Sequence, residues 1–385
     1  MNRADYENAL HNQCMSIPEL CEAQISGVLK GIEDSIPAEK MKNIRRVIFT
    51  GCGDSYFAGS VAVPAFKKFA GQFASDFSCE RCIDVSRFIE IEESNAQSTL
   101  VIGISASGSP ARVKEALLRA RSYGCMTLAL TNNAQSDAAK AAEFSLIVNT
   151  PAFATPNPGL RNYYASLIGL TMFGAYLGEC KGISPAGTME KLADAIRTYT
   201  KSYADILPEL DEKMFEMAAA WKEYNVVDTI ADDINASTAK FIGAKFVEVT
   251  GAMYCYNDSE DWCHVNYFSH QPEKIGTIVI ADKFDNNRTR IGETIHQAAG
   301  IGRPVFLISN GTQKDFGADE NITELTVPCA PKGYEFLLPL LNYLPGAILA
   351  SYVSELIGEP YFRAGKGHWG EEGIGTIKTS QVVII

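Results

Sequence analysis

The chain has 385 residues, of which 46% are hydrophobic, and it carries a formal net charge of −12. A chain of this length is expected to form about two domains, each able to bury its own core. The acidic balance argues against nucleic acid as a partner, because phosphate backbones favour basic surfaces. No apolar run is long enough for a membrane span, and the first residues lack the apolar core of a signal peptide. We therefore expect a cytoplasmic protein that does not bind a membrane.

The first half of the chain alternates between helix and strand patterns. Residues 4–32 have apolar side chains at helical spacing, and an apolar strand at 47–50 leads through the turn GCGDS at 51–55 into another helix. Further strands, separated by helical stretches, are predicted at 100–104, 126–130 and 144–148. This alternation predicts an α/β fold with a mainly parallel sheet and helices on both faces, in three αβα layers. Ligands of such folds bind at the carboxyl ends of the strands, where GCGDS lies.

A second loop of the same kind follows the strand at 100–104. It has the sequence SASGS at 105–109 and precedes an amphipathic helix. Unpaired N–H groups at the start of a helix, together with serine hydroxyls, can hold an anion. The loop has neither the lysine of a P-loop nor the G-x-G-x-x-G pattern, so a nucleotide is not indicated. The alternative is that Ser109 caps the helix and the other serines are ordinary turn residues.

An internal repeat favours the anion site over that alternative. Segments at 101–102, 111–115 and 128–132 recur at one constant offset, at 279–280, 289–293 and 306–310. Three matches at the same offset predict two copies of one α/β domain. At this offset SASGS is replaced by KFDNN and GCGD by TIAD at 229–232. The requirements of the fold act on both copies alike, so serines present in only one copy indicate a ligand there.

We predict five segments along the chain: N-terminal helices at 1–40, a first α/β domain at 41–200, a helical connector at 201–225, a second α/β domain at 226–357, and a tail at 358–385. The tail contains GKGHWGEEGIG, a glycine-rich composition typical of a flexible segment. We expect this tail to act as a lid that closes over a ligand.

Several side chains outside the loops could carry chemistry. Glu248 lies near the end of a predicted helix, where a carboxylate is unfavourable to the helix dipole, although a solvated surface glutamate is the common alternative. His264 suits a general acid or base, but the sequence does not rank it above the other four histidines. Lys378, in the tail, could supply positive charge or form an imine. Most lysines, however, are solvated surface groups.

No metal site is predicted. Asp258, Glu260 and Asp261 lie within seven residues of one another and of His264, but their spacing is not that of a metal-binding motif. The ten cysteines include one C-x-x-C, at residues 79–82, with no second pair for zinc. We expect free thiols, as in other proteins of a reducing compartment.

The duplicated α/β domain, GCGDS and SASGS together resemble the sugar isomerase (SIS) domain. Two tandem SIS domains followed by a short tail resemble the isomerase half of glutamine–fructose-6-phosphate aminotransferase and its stand-alone relatives, the sugar-phosphate deaminases and fructosamine-6-phosphate deglycases. The resemblance runs from about residue 15 to the tail. It implies a phosphosugar ligand, and a reaction that needs neither a metal nor an organic cofactor.

The resemblance also implies a role for individual residues. The implied substrate-binding residues are Gly53, Ser55, Ser105, Ser107, Gly108 and Ser109. In the implied reaction, His264 opens the sugar ring, Lys378 forms an imine with the open chain, and Glu248 moves a proton between C1 and C2. The family's histidine commonly comes from the neighbouring subunit, which implies a homodimer with a shared active site.

The sequence departs from the family pattern at three places. The usual Lys-His-Gly-Pro is CHVN at 263–266, the usual loop threonine is Pro110, and the loop at 155–161 lacks the family's small residues. We expect Arg161 to project from that loop toward the substrate. With no glutaminase domain and no nucleophilic cysteine near Met1, we expect that the chain does not take ammonia from glutamine by itself.

These observations predict an enzyme that acts on a hexose 6-phosphate derivative. It would be an aldose/ketose isomerase or an amino-sugar-phosphate deaminase or deglycase. The alternative is a non-catalytic phosphosugar sensor, in which the changes around His264 accompany a loss of catalysis.

Overall fold

A computed structural model describes residues 2–71, 73, 76–91, 93–371 and 373–385 of the chain. The chain divides into two compact units. The first-sheet unit comprises Glu19–Arg197 and Gly370–Ile385, and the second-sheet unit comprises Met1–Pro18 and Thr198–Trp369. The C-terminal segment therefore belongs with the first sheet, although the second sheet is nearer to it in sequence.

The first-sheet unit is built on five parallel strands in the order β2-β1-β3-β4-β5. The strands are β1 (Arg46–Gly51), β2 (Phe77–Arg81), β3 (Thr99–Ile104), β4 (Met126–Thr131) and β5 (Phe144–Ile147). Every residue of β3 is buried, as expected for a central strand of a parallel sheet that is covered on both faces. This confirms the parallel α/β fold predicted from the sequence.

Helices cover both faces of this sheet. They are α2 (Ile17–Ser35), α3 (Ala38–Met41), α4 (Asp54–Ala70), α5 (Cys82–Arg87), α6 (Glu93–Ala96), α7 (Ala111–Ser122), α8 (Asp137–Ala141), α9 (Leu160–Cys180) and the start of α10 (Thr188–Trp221). Helices α4 and α9 pack against each other, and α5 packs against α7. The core between α5, α7 and the sheet contains Ile48, Val101 and Leu117.

The second-sheet unit repeats the plan, with five parallel strands in the order β10-β9-β8-β6-β7. The strands are β6 (Val226–Ala231), β7 (Met253–Asn257), β8 (Ile275–Ala281), β9 (Val305–Ser309) and β10 (Thr323–Thr326). The helices are α1 (Ala9–Met15), the end of α10, α11 (Ala236–Thr250), α12 (Ser259–His264), α13 (Arg288–Gly300) and α14 (Leu344–Ile357).

The structure confirms the repeat and corrects one part of its alignment. The segments β3-α7-β4 and β8-α13-β9 correspond at the predicted offset. Helix α4, however, begins at Asp54 and α11 at Ala236, so the first helices of the two copies are separated by a larger offset. When these helix starts are aligned, GCGD corresponds to residues 233–236 and not to 229–232, because the second copy is shorter between its first helix and β8. The corrected segment, DINA, also lacks glycine.

One helical stretch resembles a membrane span in length and hydropathy. It covers Glu335–Ile357 and includes α14, and its most apolar window is entirely buried inside the protein. Gly346 lies against Ile242 of α11, so this face of α14 packs closely on its neighbour. A helix buried in this way is a core helix of its unit.

Candidate functional site

The two loops predicted to bind the ligand begin side by side. Strands β1 and β3 are neighbours, but the chain continues from β1 to β2 on one side of the sheet and from β3 to β4 on the other. This is a topological switch point, where open α/β sheets bind ligands. The register pairs Gly51, the last residue of β1, with Ile104, the last residue of β3. GCGDS and SASGS therefore leave the sheet at the same level.

The turn after β1 depends on its glycines. A Cβ atom on Gly51 would lie 2.7 Å from Cβ of Ser55 and 3.0 Å from the carbonyl oxygen of Ile104. Gly53 has a φ of +54°, which L-residues with a side chain rarely adopt. The turn is therefore tight enough to place Ser55, which is half-buried, in the first turn of α4.

The SASGS loop is fixed by hydrogen bonds to residues at the end of β4 and the start of α8. The carbonyl oxygen of Ala106 accepts hydrogen bonds from the Thr131 hydroxyl, at 3.1 Å, and from the Asn132 amide, at 2.9 Å. The carbonyl oxygen of Gly108 accepts one from the Ala138 amide at 3.0 Å. Ser105 is buried, and its hydroxyl accepts a hydrogen bond from the Gly108 amide at 3.0 Å. These contacts direct the loop's carbonyl oxygens toward the protein.

The two remaining serines lie at the surface of the loop. Ser107 is exposed, and its hydroxyl lies 2.8 Å from the hydroxyl of Ser109. The alternative that Ser109 caps the following helix is wrong. The residue before α7 is Pro110, which makes no side-chain capping bond, and the amide of Ala111 donates instead to the carbonyl oxygen of Ile377 at 2.9 Å. Neither hydroxyl is therefore used to cap α7, and that the pair binds an anion stays a prediction.

The C-terminal segment runs along α7, which the sequence did not predict. Its contacts follow the helix from one end to the other: Ile377 with Ala111, Ser380 and Gln381 with Arg112, Val383 with Glu115, and Ile385 with Arg119. The end of the predicted lid is thus bound in this structure. Lys378 directly follows the residue bonded to the first amide of α7, so it lies next to the SASGS loop, and its side chain is exposed.

Glu115 is the main anchor of this segment. Its carboxylate is completely buried, pairs with Arg87 and Arg112, and accepts the amide of Val383 at 2.7 Å. Burial raises the pKa of Glu115, but the hydrogen bonds from Arg87 and from the Val383 amide outweigh it, and the pKa is lowered overall. The contribution of Glu115 to the attachment is therefore fully present at neutral pH and is lost as the pH falls through the lowered pKa of Glu115.

We expect Glu115→Gln to release the end of the tail. The amide keeps the size of the side chain but loses the charge that holds both guanidinium groups, so Arg87 and Arg112 are left without a buried anion. Limited proteolysis followed by mass spectrometry should show earlier cleavage within residues 370–385. The matched control is Glu143→Gln, an exposed glutamate of the same unit. Equal protection of the tail in all three proteins would contradict the assignment.

Arg161 lies in the first turn of α9, near the end of β4. The next residue, Asn162, accepts a hydrogen bond from Asn132 at 3.3 Å, which places this turn at the same edge of the sheet as the SASGS loop. The Arg161 guanidinium stacks over the ring of Phe153, 4.5 Å from its centre, and burial lowers its pKa. That Arg161 reaches a substrate stays a prediction.

In the second-sheet unit, Glu248 lies in the last turn of α11 and pairs with a lysine that the sequence patterns did not single out. The carboxylate is 28% exposed and lies 2.5 Å from Nζ of Lys245, which is only 1% exposed. A buried ammonium group is costly unless it is paired, so Lys245 and Glu248 hold each other in place. The i,i+3 spacing of two opposite charges on one helix was the signal that could have identified Lys245.

His264 ends α12, a short helix that is fixed by a buried tryptophan. Nε1 of Trp262 donates to Asp228 at 2.8 Å, and burial raises the pKa of Asp228 despite this bond. Asp258 caps the start of the helix by accepting two backbone amides. His264 itself is 67% exposed, and its Nε2 lies 2.8 Å from Glu260, whose pKa the histidine lowers.

Glu248 and His264 are carried on opposite faces of the second sheet. Asp228 of β6 faces α12, through its bond to Trp262. Tyr254 of β7 pairs in register with residue 227, the neighbour of Asp228 in β6. Tyr254 lies against Gly243 of α11. Successive residues of a strand point to opposite faces, so α11 and α12 cover different faces. The structure therefore does not bring Glu248 and His264 of one chain together.

The equivalent region of the second copy is acidic. A cavity of about 400 Å³ lies at the ends of β8 and β9, and its lining includes Asp282 and Glu335 as well as Lys332. Asp282 accepts a hydrogen bond from Asn310 at 2.7 Å. The carboxylates make this region less suited to an anion than the SASGS loop. Across the described part of the chain, no group of three or more His, Cys, Asp or Glu side chains could hold a metal ion, and each of the ten cysteines is a free thiol.

No family model matches the sequence. The chain is 37% identical over 351 residues to the glutamine–fructose-6-phosphate aminotransferase (isomerizing) of Aquifex aeolicus, a match that covers 87% of this chain and 53% of that protein. The chain spans about half the length of the curated relatives that it matches.

Solved structures share the fold over nearly the whole chain. The C-terminal domain of glucosamine-fructose-6-phosphate aminotransferase from Francisella tularensis superposes with a TM-score of 0.81 at 14% identity, covering 94% of this chain and 99% of that one. The tagatose-6-phosphate ketose/aldose isomerase from Escherichia coli gives a TM-score of 0.65 at 15% identity, covering 93% and 95%. By fold and by sequence similarity, the chain thus resembles, over most of its length, the two tandem SIS domains that form the isomerase half of glutamine–fructose-6-phosphate aminotransferases.

Proposed function

We propose that the protein is an enzyme of hexose 6-phosphate derivatives, acting as an aldose/ketose isomerase or as an amino-sugar-phosphate deaminase or deglycase. The observation that carries the proposal is the arrangement at the switch point of the first sheet. Two loops that contain serine and glycine begin there side by side, and the carbonyl oxygen of Ile377, the residue before Lys378, is bonded to the first amide of the helix that follows SASGS. Hydroxyl groups and an ammonium group are donors that suit a phosphate.

In the proposed reaction, His264, Lys378 and Glu248 each carry one step. His264 protonates the ring oxygen and opens the sugar. Lys378 condenses with the open-chain carbonyl to an imine, with loss of water, whereas in an amino sugar the carbon that bears the amine becomes an imine through the proton transfer that follows. Glu248 then takes a proton from one carbon and returns it to the next, while Lys245 holds its carboxylate in position. Hydrolysis of the imine releases an amine, whereas the same proton transfer without an amine interconverts aldose and ketose.

We further propose that the site is shared between two copies of the chain. His264 is highly exposed and lies next to Val265 and Phe268, apolar side chains that are 62% and 75% exposed. Glu248 is carried on the opposite face of the same sheet, so one chain does not present both groups to one substrate. A second copy that covers the face of His264 would bury the apolar residues and supply the histidine.

Mixing two inactive variants should restore activity. In a random mixture of Glu248→Gln and His264→Asn subunits, half of the dimers are mixed, and one of their two sites carries both native groups. The mixture should therefore recover about a quarter of the native turnover after subunit exchange. Each variant incubated alone is the control. If the mixture stays as inactive as its components, although mass spectrometry shows mixed dimers, the shared site is wrong.

A panel of sugars tests the reaction itself. The panel contains fructose 6-phosphate, glucosamine 6-phosphate and fructose-amino-acid 6-phosphates, each with its unphosphorylated counterpart. We expect thermal stabilisation by phosphorylated members only, and turnover of at least one of them, followed by proton NMR and by release of ammonia or amino acid. Stabilisation without any product would support the non-catalytic sensor. The absence of stabilisation by every phosphosugar would contradict both functions.

A further inference from the structure

We propose that Arg363 is a positioning residue for Glu248, the proposed proton-transfer carboxylate. Through Arg363, the beginning of the tail is bonded to α11, the helix that carries Glu248. The inference rests on the proposed function, because it concerns the same carboxylate. Arg363 lies shortly after Gly358, the residue that ends α14, at the beginning of the predicted tail.

The contacts of Arg363 are made with the end of α11. Its Nη2 donates to the carbonyl oxygen of Glu248 at 2.8 Å, and its Nη1 donates to that of Val247 at 3.3 Å. Carbonyl groups in the last turn of a helix have no partner within the helix and carry the negative end of its dipole. A guanidinium group across two of them fixes the turn that bears the Glu248 side chain. Nε of Arg363 lies 2.6 Å from Glu359, which orients the guanidinium.

The backbone around Arg363 adopts an unfavourable conformation. Phe362, Arg363 and Ala364 have φ angles of 51°, 54° and 51°, so three consecutive residues with side chains are left-handed. Such residues are unfavourable and persist where the surrounding structure requires them, often at functional sites. On the other side, a Cβ atom on Gly251 would lie 2.8 Å from Nη1 of Arg363. The turn and the glycine thus both accommodate the arginine.

The charges around Glu248 indicate what Arg363 does. Lys245, on the same helix, holds the carboxylate, and Arg363 holds the carbonyl group of the same residue. Glu359, from the segment after α14, balances part of the Arg363 charge. Without Arg363, the last turn of α11 keeps its cap, the Gly251 amide on the Val247 carbonyl oxygen, but loses the bond to the Glu248 carbonyl oxygen and one nearby cation. The carboxylate is then less well placed and harder to ionise, whereas the phosphate-binding loop is unchanged.

The test compares Arg363→Ala and Arg363→Lys in the full chain, with the substrate identified in the panel above. We expect Arg363→Ala to lower kcat by about tenfold with KM within about twofold, and to move the acid limb of the kcat profile to higher pH. Arg363→Lys should recover part of both effects, because it restores the charge without the two-pronged contact. The stability control is Asn8→Ala, which removes the cap of α1 in the same unit and should not move the pH profile.

The outcome separates this inference from the proposed function. Native kcat and a native pH profile in Arg363→Ala, whatever its melting temperature, would overturn the positioning role. If Arg363→Ala does not fold, Arg363→Lys serves instead, since it keeps the charge but loses the two-pronged contact. Native kcat in that variant also overturns the role. Full activity of Glu248→Gln would instead remove the proposed function, on which the inference depends.

Discussion

Replacing Glu248 with glutamine is expected to lower kcat by about a hundredfold to ten-thousandfold, the usual contribution of a positioned general acid or base. Glutamine keeps the size of the side chain and can still accept a hydrogen bond from Lys245, but it does not take up the proton. Binding of a hexose 6-phosphate should persist, because the SASGS loop that we assign to the phosphate is untouched. The measurements are product formation by proton NMR and the thermal shift with the phosphosugar.

Glu355→Gln is the control for this substitution. It changes an exposed glutamate of α14 in the same unit and should leave turnover unchanged. Full activity of Glu248→Gln would show that the carboxylate does not carry the proton. Loss of both turnover and phosphosugar binding would point instead to a damaged fold, which the melting temperature of the free protein reveals. Only loss of turnover with binding retained supports the assigned role.

The parallel sheets and the duplication could be predicted because they follow from local pattern. Strands such as β3 are continuous apolar runs, since both faces of a parallel sheet are covered, and such runs alternate with amphipathic helices. The position of both loops at the carboxyl ends of strands followed from the same reasoning, but only the strand order shows that β1 and β3 are neighbours at a switch point. The offset error at GCGD had a physical cause as well. Loops differ in length between the copies, and an offset measured on one segment does not extend across them.

The attachment of the tail could not be predicted from composition. Its glycine-rich middle suggested a flexible lid, but the end of the tail is held by backbone groups of Ile377 and Val383. Such bonds leave no periodic signal in the sequence. Glu115, which accepts the Val383 amide, and Arg112, which donates to Ser380, look like an ordinary surface ion pair on an amphipathic helix. Their burial depends on a segment from the far end of the chain.

The placement of Glu248 and His264 on opposite faces of the second sheet could not be predicted from the sequence either. Their separation along the chain fits several arrangements of the intervening strand. Only the strand register of β6 and β7 shows which helix covers which face. Lys245 was missed for a different reason. A lysine on a helix is normally solvated, and only the packing of α11 reveals that the side chain of this one is almost completely buried.

Gly108→Ala is expected to destabilise the protein by about 2–4 kcal/mol and to abolish phosphosugar binding. Gly108 has a φ of +64°, and a methyl group there would overlap the side chain of Ser136, the residue that caps α8. The variant must therefore move the loop or displace α8. Either change breaks the bond from the Gly108 amide to the Ser105 hydroxyl and separates the pair formed by Ser107 and Ser109.

Gly124→Ala separates the effect of backbone strain from the effect of the loop. Gly124 also has a positive φ, of +85°, but a methyl group there meets no atom within 4 Å. Its cost should therefore be only that of the left-handed conformation, about 1–2 kcal/mol, with phosphosugar binding retained. Chemical denaturation gives the stability of both variants, and isothermal titration calorimetry with the phosphosugar gives their affinity. If Gly108→Ala binds as tightly as Gly124→Ala, the SASGS loop is not the phosphate site. The methyl group at residue 108 overlaps the Ser136 side chain so closely that the loop has to move, and its hydrogen-bond donors move with it.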